Sequence, residues 1–237
     1  MQIYLDSADH REIEKWSAAG IIDGVTTNPS ILFKDGVFDA EEGAQRLAKL
    51  LGERPLSVEV TSDDPTEMLG QGRAIARHAA NIVVKIPVTN SRGESCLSVI
   101  HALSREAIAV NTTAILSFNQ AMLAAKAGAA YVSIFAGRIA DEGNDPAAVI
   151  RNVRTWLDEW ESSARIIVGS IRTVMDIQSA ALAGAHIITI PPQFLPKMVD
   201  HKYTRETVLQ FNRDAERALA QMSEARTAAA GSGSNGR

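Results

Sequence analysis

The chain has 237 residues, of which 46% are hydrophobic and 22% charged, so it is long enough to bury a sizeable core. Its net charge is −4, and it has no basic stripe interleaved with aromatic residues, which argues against a nucleic-acid partner. Cys96 is the only cysteine, which excludes an intramolecular disulfide and a thiolate metal cluster and fits a reducing compartment.

The sequence predicts neither a secretory signal peptide at its start nor a membrane-spanning segment. The start, MQIYLDSADHRE, contains acidic residues and lacks the apolar core of a signal peptide. No run approaches the ~20 apolar residues of a membrane span. We therefore expect a cytoplasmic protein without a membrane partner, folded over residues 1–221, with residues 222–237 as a disordered tail rich in Ala, Ser and Gly.

Short β-type runs alternate with amphipathic helical stretches along the chain. In order, the predicted strands are IYL at 3–5, GVTTN at 24–28, PLSVEV at 55–60, NIVVKI at 81–86, AIAVNTTAI at 107–115, AYVSIF at 130–135, RIIVGS at 165–170 and HIITIP at 186–191. Eight strands separated by helices, without a hairpin signal, favour a single (β/α)8 TIM barrel over a doubly wound sheet. No G-x-G-x-x-G follows any strand.

Several helices have readable starts. Asp9 and Glu12 predict a capping box for the first helix, and Asn28 and Asp145 each precede a proline suited to a first helical position. Two segments repeat an Ala-rich helix, an A-G-A turn and a strand, with the glycine ending the helix.

Strand parity separates candidate site residues from the core. In a barrel, alternate strand residues pack outward against the helices, and polar inward residues at the carboxyl ends of the strands line the active-site mouth. This parity selects Asp6, Thr26, Asn28, Glu59, Lys85, Asn111, Thr113, Ser133 and Phe135.

Most of these residues also have a purely structural interpretation. Asp6 suits a turn, Asn28 a helix cap, Thr113 a strand by propensity, and Ser133 a small filler. Glu59 and Lys85 are two charges at neighbouring inward positions, for which the structural alternative is an ion pair.

A lysine among apolar neighbours can act as a neutral amine and form a Schiff base with a ketone or aldehyde. Glu59 could supply the acid/base for dehydration, directly or through a water held by Thr113, and Asp6 could take a proton from a substrate hydroxyl. The remaining hydroxyls would be oriented by Asn28, Asn111 and Ser133.

A phosphate site is indicated near the last strands. Arg138 follows the sixth strand, and Ser170 and Arg172 follow the seventh, in the barrel region where phosphate sites gather. Guanidinium groups suit phosphate oxygens, although surface arginines in helix ion pairs remain the alternative.

The motifs LDSAD, GVTTNPSI, VEV, VVKIPVT, NTTAILS, YVSIFAGRI and GSIR resemble the small class-I transaldolases, a group that includes the fructose-6-phosphate aldolases. The resemblance runs to about Phe211 and implies a (β/α)8 barrel. By position it assigns the Schiff-base lysine to Lys85, the acid/base aspartate to Asp6, and the acid/base carboxylate and its water-sharing threonine to Glu59 and Thr113. It implies hydroxyl contacts at Asn28, Asn111 and Ser133, and phosphate contacts at Arg138, Ser170 and Arg172.

Two positions resemble the transaldolases rather than the aldolases, which carry glutamine and tyrosine where this chain has Glu59 and Phe135. The resemblance therefore implies transfer of a dihydroxyacetone unit between sugar phosphates, in the pentose phosphate pathway or a specialised pathway, without a cofactor. The five histidines show no H-E-x-x-H or comparable metal-ligand spacing. Small family members form pentamers and decamers, with an extra C-terminal helix reaching a neighbouring subunit. The resemblance therefore implies a homo-oligomer in which TRETVLQFNRDAERALAQM forms this helix.

Three functions stay open from the sequence. They are a transaldolase, an aldolase that releases free dihydroxyacetone, and a non-catalytic sugar-phosphate-binding barrel in which Lys85 and Glu59 form a structural pair. The stretch NSRGESCLS at 90–98 is a few residues longer than the usual family loop, which leaves the donor and acceptor sugars unassigned.

Overall fold

The alternating pattern of strands and helices folds into a closed parallel barrel. The computed structural model describes residues 1–232, and the strands within that range pair in the order β1 to β8, with β8 returning to β1. The strands are β1 (Gln2–Asp6), β2 (Gly24–Thr26), β3 (Leu56–Glu59), β4 (Ile82–Pro87), β5 (Val110–Ile115), β6 (Tyr131–Phe135), β7 (Arg165–Gly169) and β8 (Ile187–Ile190). The predicted (β/α)8 fold and its eight strands are therefore confirmed for the described part of the chain.

Helices follow the strands around the barrel. They are α1 (His10–Ala18), α2 (Pro29–Lys34), α3 (Ala40–Leu51), α4 (Pro65–Ala76), α5 (Leu97–Arg105), α6 (Phe118–Lys126), α7 (Ala136–Asp141), α8 (Pro146–Glu159), α9 (Val174–Leu182), α10 (Leu195–Val199) and α11 (Lys202–Ser232), with a 3₁₀ turn at Pro192–Phe194. None of these helices is long and apolar enough to cross a membrane.

The helix starts agree with the sequence except at the first capping box. Asp9 caps α1 by accepting from the backbone N–H of Arg11, but Glu12 does not complete the box. Its carboxylate instead accepts a hydrogen bond from the Trp16 indole, 2.9 Å away, because one helical turn separates the two side chains. Asp145 caps α8 as predicted.

The core lies between the outward faces of the strands and the inner faces of the helices. Val84 and Ile86 of β4 are fully buried there, which turns the intervening Lys85 into the barrel. Cys96 is also buried, and this burial raises the pKa of its thiol, which disfavours the reactive thiolate.

The chain divides into two compact units, residues 1–195 and 196–237. The first contains the whole barrel. The second contains α11, which continues through residues 222–232, where the sequence predicted a tail. This stretch is rich in alanine and contains Glu224 and Arg226, all of which favour a helix. The last part of the predicted tail, residues 233–237, lies outside the described residues.

Candidate active site

The carboxyl ends of the strands enclose a cavity of about 210 Å³. It is lined by Asp6, Thr26, Asn28, Lys85, Ser133, Phe135, Arg138, Gly169, Ser170, Arg172 and Thr189. Nine of these residues are ones that strand parity or the phosphate argument selected, while Gly169 and Thr189 are additional. Parallel strands bring their carboxyl ends to one rim, so residues far apart in sequence meet there.

Strand register sets a row of polar side chains across three neighbouring strands. Glu59 pairs in register with Lys85, and Lys85 with Asn111. The three side chains therefore stand at one height inside the barrel, which parity alone could not establish.

Lys85 is buried, with 5% of its surface exposed, and it makes two polar contacts. Its Nζ donates to the backbone carbonyl of Thr27 at 2.8 Å and lies 3.1 Å from Glu59 Oε2. The Glu59 carboxylate is therefore within hydrogen-bond distance of the amine and is placed to accept a proton from it.

A second set of contacts holds the amide of Asn111. Ser133 Oγ donates to Asn111 Oδ1 at 2.7 Å, and Asn111 Nδ2 donates to Ser57 Oγ at 3.1 Å. Ser57 is fully buried and was not among the predicted residues, although it shares the inward parity of Glu59 two positions later. These two hydrogen bonds fix the orientation of the Asn111 amide, with its oxygen toward Ser133 and its nitrogen toward Ser57.

Asp6 ends β1 and stands in register with Thr26, whose hydroxyl donates to Asp6 Oδ1 at 2.7 Å. Burial raises the pKa of the Asp6 carboxyl, and this outweighs the lowering by the Thr26 hydrogen bond and the Lys85 charge. A raised pKa lets this carboxyl group hold a proton at a higher pH than an ordinary aspartate does, which suits a group that accepts a proton and returns it. The loop after Asp6 is anchored by Asp35, which accepts from Ser7 Oγ and from the Ala8 N–H, both at 2.8 Å.

Asn28 caps a helix, as its structural interpretation predicted, and it also lines the cavity. Its Oδ1 accepts from the backbone N–H of Ile31 at 2.9 Å, which caps α2. The amide N–H₂ of the same side chain is a separate donor, so the cap leaves this group available to a ligand.

The Thr113 hydroxyl group has no hydrogen-bond partner among the described residues. Its Oγ1 atom is also buried. Buried hydroxyl groups are usually paired, so this one can serve a ligand or a solvent molecule.

Three predicted phosphate ligands line one side of the cavity. Ser170 has a φ of 58°, a left-handed conformation that is uncommon outside glycine, and Arg138 is exposed. Among the described residues Arg138 makes no ion pair, whereas Arg172 donates to Asp141 Oδ2 at 2.9 Å. The cavity therefore combines Lys85, which pairs with Glu59, with the guanidinium donors of Arg138 and Arg172, an arrangement suited to a phosphorylated carbonyl compound.

The extended loop after β4 is an ordered structure. Thr89 and Ser95 form an antiparallel bridge across it. Asp63 holds the tip by accepting from Ser91 and by pairing with Arg92 at 3.1 Å. The described residues contain no group of three or more His, Cys, Asp or Glu side chains arranged to hold a metal ion.

Comparison with known proteins gives consistent results for sequence and fold. The profile of the family described as Transaldolase/Fructose-6-phosphate aldolase matches residues 3–232. A "Probable transaldolase" of Dehalococcoides mccartyi is 41% identical, covering 90% of this chain and 97% of the relative. A "Probable transaldolase 2" of Listeria monocytogenes is 40% identical, covering 91% and 96%.

Solved structures that resemble this one share only its fold. A thiamine phosphate pyrophosphorylase from Pyrococcus furiosus superposes with a TM-score of 0.53 at 14% identity, covering 80% of this chain and 85% of that chain. A mandelate oxidase mutant gives the same TM-score and identity, covering 80% and 63%. Barrels of this kind carry many unrelated activities, so these two similarities support the architecture alone.

Proposed function

Because this chain belongs to the Transaldolase/Fructose-6-phosphate aldolase family, we propose that it is a transaldolase that transfers a dihydroxyacetone unit between sugar phosphates through a Schiff base on Lys85. The observation that carries the proposal is the buried Lys85 amine, 3.1 Å from the Glu59 carboxylate and within a cavity edged by arginines.

The first half of the proposed reaction forms the Schiff base. Glu59 accepts a proton from Lys85, and the neutral amine attacks the C2 ketone of a ketose phosphate such as fructose 6-phosphate or sedoheptulose 7-phosphate. Loss of water from the carbinolamine requires protonation of its hydroxyl, which Glu59 supplies directly or through a water bound to Thr113. The product is a positively charged iminium ion that can accept electrons from the neighbouring bond.

The second half transfers the three-carbon unit. Asp6 takes the proton of the C4 hydroxyl, the C3–C4 bond breaks, and an aldose phosphate leaves while the electron pair forms an enamine on Lys85. The enamine attacks the aldehyde of a second aldose phosphate, and Asp6 returns its proton to the new hydroxyl. Hydrolysis of the iminium ion then releases the product ketose and restores the lysine.

The remaining predicted site residues would orient the substrate. Asn111, Ser133 and Asn28 offer donors and acceptors for hydroxyl groups. Arg138, Ser170 and Arg172 line the side suited to the phosphate. Thr26 supports Asp6 through its hydrogen bond, and the Phe135 ring adds an apolar wall that offers no hydroxyl to a water molecule.

Chemical trapping tests the Schiff base. We expect that incubation with fructose 6-phosphate, followed by borohydride reduction and peptide mapping by mass spectrometry, gives a stable adduct on Lys85. K85M should lose the adduct and reduce turnover about a thousandfold or more. K49M removes an exposed lysine from α3 and should retain both, which makes it the matched control.

The acceptor requirement separates transfer from cleavage. A transaldolase forms new ketose only when an aldose phosphate such as erythrose 4-phosphate is added, whereas an aldolase releases dihydroxyacetone without it. Equal product release with and without acceptor would favour the aldolase. The third function, a non-catalytic sugar-phosphate-binding barrel, predicts that the wild type shows neither a lysine adduct nor turnover. It also predicts that K85M still binds the sugar phosphate.

A further inference from the structure

The hydroxyl groups of Thr26 on β2 and Thr189 on β8 form a hydrogen-bonded series that begins at the Asp6 carboxyl group. Thr26 Oγ1 donates to Asp6 Oδ1 at 2.7 Å and lies 2.5 Å from Thr189 Oγ1 on β8. Thr26 and Thr189 are 3% and 5% exposed, so this contact is protected from bulk water. Thr189 follows Ile188 and precedes Ile190, both fully buried, so its inward direction is set by the strand.

The direction of this chain depends on the charge of Asp6. A carboxylate can only accept, so Thr26 must donate to ionised Asp6. Each hydroxyl has one proton, so Thr189 must then donate to Thr26. When Asp6 is protonated, its O–H can donate to Thr26, which in turn donates to Thr189.

We propose that Thr189 is a positioning residue for Asp6, forming with Thr26 a two-hydroxyl chain that reverses its hydrogen-bond direction as Asp6 gains and loses a proton. The inference rests on the proposed function and deepens it. In that reaction Asp6 accepts a proton and later returns it, and the two hydroxyl groups would keep it hydrogen-bonded throughout. Both protonation states keep the carboxyl hydrogen-bonded in the same orientation, so neither step requires the side chain to rotate.

Other charged groups also act on Asp6 and must stay constant in a test. Lys85 on β4 attracts the carboxylate, whereas Glu59 on β3 and Asp35 after α2 repel it. Arg138 and Arg172 line the same cavity. A substitution at Thr189 changes none of these charges, so its effect on Asp6 reports the hydroxyl chain.

T189V removes the hydroxyl while preserving the size and branching of the side chain. When Asp6 is ionised, Thr189 donates to Thr26 and so polarises the Thr26 hydroxyl, which strengthens the bond from Thr26 to the carboxylate. Because that second bond is charge-assisted only when Asp6 is ionised, loss of the Thr189 hydroxyl destabilises ionised Asp6 more than protonated Asp6. We therefore expect the acid limb of the kcat–pH profile to move to higher pH by about half a unit to one unit, with kcat reduced roughly fivefold and KM changed less than about twofold.

Two further variants control the experiment. T189S restores a hydroxyl at the same position and should return both kcat and the acid limb to the wild-type values. T112V removes a buried threonine hydroxyl on β5 that makes no hydrogen bond within the described residues, and it should leave the profile unchanged. An unchanged acid limb in T189V, or an altered one that T189S does not rescue, would assign Thr189 a structural role and overturn the inference.

A carboxyl titration separates failure of this inference from failure of the proposed function. Carbon-13 NMR of protein labelled at its aspartate carboxyls, with the Asp6 signal assigned by its loss in D6N, follows the group without turnover. We expect the Asp6 titration to move to higher pH in T189V and to be normal in T189S and T112V. If the wild type forms no lysine adduct, the proposed function fails and this titration decides the inference, with an unshifted Asp6 overturning it.

Discussion

Asp6 is an acidic residue that the fold holds away from water. Burial raises the pKa of its carboxyl, which means that the ionised form is less stable in the folded protein than in the unfolded chain. The folded state then binds more protons than the unfolded state in the pH range above the ordinary aspartate value of about 3.8. The contribution of Asp6 to the free energy of unfolding therefore falls as pH rises through this range.

D6N should remove this cost because asparagine does not ionise. We expect D6N to have a higher melting temperature than the wild type at pH 7, by about 2–4 °C for each kcal/mol recovered, and the difference should vanish toward about pH 4. Thermal unfolding of both proteins across this pH range measures the effect.

E14Q is the control for this comparison, because Glu14 is exposed on α1. It should show no pH-dependent difference from the wild type. Equal melting temperatures of D6N and the wild type at every pH would contradict an energetic cost of ionised Asp6. Loss of turnover in D6N at unchanged or higher stability would show that the carboxyl is retained for function.

At the scale of elements, the start of α7 contacts the loop after β7 through a glycine. The Gly137 N–H donates to the Ser170 carbonyl at 3.0 Å. A Cβ atom at position 137 would lie 2.2 Å from that oxygen and 2.8 Å from both Ser170 Oγ and Arg172 Nε. The absence of a side chain therefore allows the two segments that carry the candidate phosphate ligands to approach each other.

G137A should separate these segments. We expect a loss of about 1–3 kcal/mol in the free energy of unfolding and a rise in KM for a phosphorylated donor of about tenfold or more, because the phosphate ligands move apart. Chemical denaturation and steady-state kinetics measure the two effects. A KM within twofold of the wild-type value would show that Ser170 and Arg172 do not depend on this contact.

G70A is the matched control, since position 70 is an exposed part of α4 where an added Cβ meets nothing within 4 Å. It should raise the free energy of unfolding by roughly 0.5–1 kcal/mol and leave KM unchanged, because alanine favours the helix.

At the scale of the whole molecule, the closed barrel and α11 belong to different compact units. The described part of α11 exposes several large apolar side chains, namely Val208, Leu209, Phe211, Leu219 and Met222. Exposed apolar residues on a long helix are suited to a protein contact. We propose that the chain forms a homo-oligomer, a pentamer or decamer as in the small family members, and that α11 contributes to its interface.

Truncation tests the role of α11. A variant with residues 1–200 retains every strand of the described barrel, and we expect it to unfold cooperatively as a monomer. The full chain should be oligomeric, and a variant with residues 1–222 should remain so because it keeps the apolar positions. Light scattering coupled to size exclusion measures the mass. An oligomer of residues 1–200 would assign association to the barrel surface instead.

Local sequence pattern was sufficient to predict the eight strands, the inward direction of the polar residues and most of the cavity lining. Alternation along a strand has a period of two residues, so Lys85 between Val84 and Ile86 reveals its direction locally. Parity also selected Asp6, Thr26 and Asn28, whose side chains do line the cavity. Their proposed roles rest on chemistry that local pattern and family resemblance suggested together.

Which side chains meet depends on the packing of strands that are distant in sequence, and this could not be predicted from local pattern. The register between strands depends on closure of the whole barrel, so the row from Glu59 through Lys85 to Asn111 could not be established from any one strand. Thr189 is separated from Thr26 by 163 positions in sequence, yet the closure of β8 onto β1 brings their hydroxyls to 2.5 Å. Parity predicts which way a residue points, whereas packing of distant strands decides what it touches.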